Sequence, residues 1–192
     1  MSETKEAART IDGVALPSPG TYELDSAHSS VSFVARHLMV TKVRGHFSGF
    51  SGTIQVTEPH EEARVEATID AASIETGEPN RDAHLRSADF LDVEHFPTIT
   101  FVGTGVVHRG GSRFSLPGEL TIRGVTRPIT LDAEYLGTVT HPQMGTRIGL
   151  SATGEINREE FGITWNAALE TGGWVVGKTV RLELEAEAVQ KG

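Results

Sequence analysis

Histidines are the side chains best placed to do chemistry in this sequence, and their spacing decides what kind. His28, His37 and His46 recur every nine residues, and a further one stands in Glu94-His95. Three imidazoles within reach of one ion would make a metal site. Nine residues along an ideal strand, however, turn successive side chains to opposite faces, and no His-x-His or His-Glu-x-x-His pair occurs. We expect no metal. Nucleophilic catalysis lacks its usual apparatus, because there is no Gly-x-Ser-x-Gly elbow and no cysteine. The acid pairs Glu159-Glu160 and Asp89/Asp92 read as solvated charge. Gly110-Gly111 and Gly172-Gly173 read as turn glycines, since neither opens a phosphate-cradling loop. The expectation is a protein that is not an enzyme and carries no cofactor.

The elements that must position these residues are mostly strands. Val31, Phe33 and Ala35 alternate with polar neighbours, which marks Ser29 to His37 as a half-buried strand. Val43 to Val56 continues the pattern, with a change of phase between Phe47 and Phe50 that predicts a bulge at Ser48-Gly49. Further alternating runs are centred on Ile69, Phe101, Leu120, Leu131, Leu150 and Leu182. Short turns join most of them, including Arg109-Gly110-Gly111-Ser112 and Arg123-Gly124, so about eight strands should pair antiparallel. The exception is Asn80 to Pro97, which predicts a helix: Asn80 as N-cap, Asp82 in the first turn and paired with Arg86, and Arg81, Leu85, Ala88 and Leu91 on one stripe. One short helix among long strands serves as a cap or plug.

A sheet of this many twisted strands either splits into a sandwich or closes on itself, and a barrel is expected because closure removes the exposed edges. A tall barrel of eight strands either fills with side chains or encloses a small ligand. Gly103, Gly105 and Gly154 at inward register point to unfilled volume, although relief of strand coiling explains them equally well. The single domain occupies residues 21–190, preceded by a loosely ordered arm over residues 1–20.

Charge narrows the partners. A net charge of −9 disfavours nucleic acid and adhesion to anionic lipid headgroups, and Lys and Arg do not cluster along the chain. No run approaches the length of a membrane span, and the polar N-terminal stretch lacks an apolar signal core, so a cytoplasmic location and no stable membrane insertion are expected.

Five stretches, HSSVSFVARH, VRGHFSGFSGTI, RDAHLRSADFLDVEHFP, GELTIRGVTRPITL and INREEFGI, stand in an order and at separations that resemble the YceI-like family of polyisoprenoid-binding, lipocalin-like proteins. The resemblance covers about Tyr22 to Val189. It implies an elongated all-β, eight-stranded antiparallel barrel with one short helix near one end. It also implies an apolar channel for a polyisoprenoid such as a prenyl phosphate or isoprenoid quinone, and often a homodimer. An enzyme acting on a lipophilic substrate inside the barrel, with His37 or His84 as acid or base, and sequestration of hydrophobic antibiotics are the alternatives.

Candidate lining residues follow from the apolar face of each element. They are Val31, Phe33, Ala35 and His37 on the first long strand, Phe47, Phe50 and Ile54 on the next, and Ile69 on the third. Leu85 and Phe90 come from the helix; Phe101, Leu120, Ile122, Leu131, Leu150, Ile156 and Leu182 come from later strands, and Trp174 from a channel mouth. His28, Arg81 and His84 are candidate contacts for a polar head. Each also has a structural reading: His28 capping a turn through Asp25, His37 as a satisfied core group, Arg81 pairing to fix the helix. Burying hydrocarbon is worth ~0.8 kcal/mol per methylene, so a five-carbon unit offers up to ~4 kcal/mol before the cost of ordering the chain.

Overall fold

The computed structural model describes residues 9–192. Its strands in chain order are β1 (Thr10–Ile11), β2 (Val14–Ala15), β3 (Gly20–Leu24), β4 (Ser30–His37), β5 (Thr41–Phe47), β6 (Phe50–Val56), β7 (Arg64–Asp70), β8 (Ile74–Glu75), β9 (Thr98–Thr104), β10 (Val107–Gly110), β11 (Arg113–Ile122), β12 (Val125–His141), β13 (Gly145–Asn157) and β14 (Val176–Gln190). The α-helix found among the described residues is α1 (Pro79–Arg86).

Several of these strands are two halves of one. β3 and β4 lie end to end along β14, which pairs with β3 through Ala188–Gln190 and with β4 through Val176–Glu185. β5 continues into β6 after a break at Ser48-Gly49, the position where the alternation changes phase. β7 continues into β8 through the 3-10 turn Ala71–Ser73, and β9 into β10 along β11. Counted this way, eight antiparallel strands run around the barrel, and the β13–β14 ladder from Arg147↔Val189 to Asn157↔Thr179 closes it. The turn between β11 and β12 is Arg123-Gly124, with φ of 51° and 71°. Such mirror-image turns match the twist of the strands they join.

The breaks in the first three composite strands lie side by side. Ser48 N–H donates to the Ser73 carbonyl at 3.2 Å and Asp70 N–H to the Gly49 carbonyl at 2.8 Å. Up to this level β7 keeps its ladder with β9, while beyond it β8 pairs with β5 and not with β9. The free edge of β8 is covered from the helix: Arg86 donates to the Ala72 and Ile74 carbonyls, both at 2.7 Å. An unpaired edge is thereby given donors without a further strand.

The helix is shorter than its sequence pattern predicts. Glu78, rather than Asn80, caps it, accepting from the amides of Asn80 and Arg81 at 3.2 and 2.6 Å. Asp82 is not paired with Arg86; it is buried and accepts from the Thr76 amide at 2.9 Å. The Ser87 hydroxyl takes the His84 carbonyl at 2.7 Å, and Asp92 at φ 49° completes the stop. From Ser87 to Phe96 the chain is a set of turns that presses Phe90 and Leu91, 6% and 8% exposed, into the barrel end.

The arm expected over residues 1–20 falls partly outside the described residues, but from Arg9 onward it is folded. β1 and β2 form a hairpin, and Arg9 donates to the Thr57 carbonyl at 2.9 Å and the Pro17 carbonyl at 2.7 Å. Charge-assisted bonds to carbonyls hold the segment against the barrel, which a reading of its polar composition missed.

Candidate functional site

Inside the barrel is a cavity of about 280 Å³, just below the size of typical small-ligand pockets (~300–1,000 Å³). Its lining is drawn from all eight composite strands and is almost entirely apolar. Val31, Phe33, Phe47, Phe50, Ile54 and Ile69 face it from the first three strands. Phe101, Leu120, Leu131, Leu150 and Leu182 face it from the others. The rings of Phe33 and Phe47 sit 5.8 Å apart across one wall.

The hollow does not come from glycine. A Cβ on Gly103 would stand 2.8 Å from Leu116 Cδ1, and one on Gly154 would stand 2.7 Å from Leu131 Cδ2, so both positions are already filled by neighbours. Gly105, at φ +85° and with its missing Cβ 2.7 Å from the Glu61 carbonyl, serves the bend between β9 and β10. The small lining residues are instead the alanines Ala63, Ala67, Ala133, Ala152 and Ala186.

The remaining candidates lie elsewhere, for a common reason. The barrel end beside α1 is solid: Phe161 and Ile163, 1% and 7% exposed, pack with Phe90 and Leu91. Leu85, Phe90, Ile122 and Ile156 pack into this plug and meet protein rather than space. Ala35 and His37 stand further along β4 than the cavity reaches, and His37 is exposed. Trp174 is 51% exposed on the outer loop.

Nor do the proposed head-group residues reach the lining. Arg81 donates to the Thr76 hydroxyl and carbonyl at 2.7 and 2.9 Å, fixing the start of α1. His84 contacts Asp89 at 2.8 Å, and its ring stands edge-on to Phe90 and Trp165 at 4.9 and 4.7 Å. His28 is bonded to Asp25 at 2.9 Å. The polar side chains that do border the cavity are Arg9, Ser29, Ser30, Ser32, Ser151, His60, Tyr135 and Glu185. Leu16 and Pro17, pinned by Arg9, border it as well, so the N-terminal segment forms part of the wall. Many missed lining residues, such as Ala67, Ala133 and Leu184, stand two positions from one that was named and follow from the same strand period; Arg9, Leu16 and Pro17 carry no such signal.

Asp25, His28 and Glu187 gather ligand-type atoms at the β3–β4 break. Arg147 Nη1 already donates to Asp25 at 2.7 Å and Glu187 at 2.5 Å, so a guanidinium supplies the positive charge there. Those bonds, Arg147 first and His28 second, bring the Asp25 carboxyl down to about 2. His37 and His46 do not join the cluster; His46 contacts Glu75 at 3.4 Å.

At the solid end Arg158 is 4% exposed and forms no ion pair among the described residues. Its guanidinium donates to the carbonyls of Ile163, Trp165, Val176 and Gly177 at 2.8 to 3.3 Å. Burial lowers its pKa, and the four carbonyl dipoles offset the loss of water.

A closed, eight-stranded antiparallel barrel around an apolar cavity defines a lipocalin-like architecture. Comparisons with known proteins are informative at three levels. The model of the YceI-like domain matches residues 22–188, and the chain belongs to that family. A UPF0312 protein of Staphylococcus aureus (strain USA300) is 41% identical over 168 residues, covering 86% of this chain and 95% of that protein. Among solved structures, the YceI protein of Campylobacter jejuni superposes with a TM-score of 0.70 at 30% identity, covering 82% of this chain and 90% of its own. A polyisoprenoid binding domain from Saccharophagus degradans, implicated in plant cell wall breakdown, shares the fold with a TM-score of 0.65 at 18% identity, covering 88% and 98%. Among the described residues no helix is long and apolar enough to cross a membrane.

Proposed function

We propose that this protein binds and carries a polyisoprenoid or a similar long amphiphilic lipid, such as a prenyl phosphate or an isoprenoid quinone, in the barrel cavity. The observation that carries the reading is the cavity itself, walled by carbon from every strand of the barrel. Family membership and a polyisoprenoid-binding structural neighbour support the same ligand class. Hydrocarbon burial supplies the drive at ~0.8 kcal/mol per methylene, and such a wall discriminates weakly among chains of equal width.

Binding without catalysis is part of the proposal. The acid–base candidates His37 and His84 lie off the cavity wall. A cytoplasmic location and a homodimer are carried forward as further proposals, tested by cell fractionation and by sedimentation.

The test is native mass spectrometry and organic extraction of protein purified from its own host. A stoichiometric lipid that is absent from an Ala152→Trp variant, folded by circular dichroism, is the expected result. Protein that is consistently empty, or a lipid retained equally by that variant, would overturn the proposal. Broad retention of unrelated hydrophobic drugs would replace carriage by sequestration.

A further inference from the structure

The tip of the β4–β5 hairpin is built against the ordinary rules for a surface turn. Leu38, Met39 and Val40 are 41%, 62% and 75% exposed, and Trp174 beside them is 51% exposed. The two segments touch: Leu38 N–H donates to the Val175 carbonyl at 2.8 Å, and Met39 Sδ lies 2.5 Å from where a Cβ on Gly173 would stand. Leu38 and Met39 also hold φ of 53° and 60°, a region that bulky side chains avoid and that Gly or Asn would fill without strain. Large apolar side chains are thus held in water, at a conformational cost, where small polar ones would serve the turn better.

Around this tip the structure gathers cations that are scattered in sequence. Arg36 and Lys42 are cross-strand partners on the outer face of the hairpin, both exposed and outside the ion pairs formed among the described residues. Arg44 and Arg181 flank Val34 on the same face and share Glu183, and Lys178 pairs with Glu159. The exposed carboxylate nearest in sequence to Trp174 is Glu170. On a chain of net charge −9 this collar is a local reversal of sign.

We propose that the 38–40 tip with Trp174 is a docking surface for an anionic phospholipid bilayer. The apolar side chains enter the headgroup and acyl boundary, and the Arg36/Lys42 collar meets the lipid phosphates. Shallow insertion of Trp and aliphatic side chains and attraction of nearby cations to anionic lipid are the two components of peripheral membrane binding. The net charge opposes adhesion of the molecule as a whole, which orients it tip first. The inference does not depend on what fills the barrel.

Flotation of the full chain with phosphatidylcholine vesicles containing about one quarter phosphatidylglycerol tests it, because each basic residue near such a surface contributes on the order of a fivefold gain in affinity. The expected result is association that weakens with salt, falls about tenfold or more in Arg36→Glu/Lys42→Glu, and is lost in Met39→Asn/Val40→Ser. The Met39→Asn substitution should at the same time raise the thermal midpoint, which separates loss of docking from loss of folding. No association of the native protein, association equal in all variants, or a tip that instead joins two copies in sedimentation would overturn the proposal.

Discussion

Arg147 on β13 reaches across the break between β3 and β4 to Asp25, at 2.7 Å, and the same nitrogen holds Glu187. Where the ladder to β14 is interrupted, an ion pair and the Ser29 hydroxyl, which both accepts from Glu187 N–H at 3.0 Å and donates to its carbonyl, take the place of strand pairing.

A pH dependence follows. The Asp25 carboxyl lies at about 2 in the fold against an ordinary 3.8, so its contribution is present above the ordinary value and is lost as pH falls through the folded one. Asp25→Asn should therefore lower the denaturation midpoint at neutral pH, and the gap to the native protein should close between those two values. Urea titrations at stepped pH measure this, and a gap that persists at the acid end would contradict it.

Gly118→Ala is expected to destabilise by about 1–3 kcal/mol, since overpacking a tight core forces its neighbours to move. The new Cβ would stand 2.6 Å from Phe101 Cζ and 2.6 Å from the Val102 carbonyl oxygen. Gly149→Ala is the control, because its Cβ would meet Leu136 at an ordinary 3.4 Å. Equal denaturation midpoints for the two variants would disprove the packing account.

Replacing Arg158 by Met should cost about 3 kcal/mol or more, because buried carbonyls lose their donors while the volume is nearly kept. Arg158→Lys should fall between Met and native, holding the charge with fewer directed donors. Chemical denaturation ranks the three proteins, and a Met variant as stable as native would show that water replaces the guanidinium.

The N-terminal segment predicts a kinetic effect. Arg9→Ala removes the bonds that hold Leu16 and Pro17 on the cavity wall. Release of an uncharged fluorescent naphthylamine from the barrel should quicken roughly tenfold, the equivalent of one charge-assisted hydrogen bond, with little change in thermal midpoint. Stopped-flow competition reads the rate; an unchanged rate would mean that exchange runs through another part of the wall.

Much of the barrel could be read from the sequence because strand period is a local property. Val31/Phe33, Ile69, Leu131 and Leu182 declare their faces within a few residues, and the Ser48-Gly49 break shows as a slip of phase. Depth along the barrel is not local. Ile122 and Ile156 carry the same signal as Leu120 and Leu150, yet the first pair is packed in the core without reaching the cavity while the second borders it. Arg9 was hidden for a different reason: its partners are backbone carbonyls, which leave no mark on side-chain pattern. The helix was overdrawn because Leu85, Ala88 and Leu91 keep helical spacing through turns that tertiary packing imposes.

Arg158 gathers four carbonyls from a stretch that has little regular structure of its own. A single rivet of this kind fixes both ends of the stretch, and between them the loop closes on itself, Val175 N–H donating to the Ala167 carbonyl and Leu169 N–H to the Gly173 carbonyl, both at 3.0 Å. The outer part of that stretch, Ala167 to Gly173, can then be rewritten in chemistry or length while the container behind it keeps its shape. Variation in what this protein touches is in this way uncoupled from what it encloses.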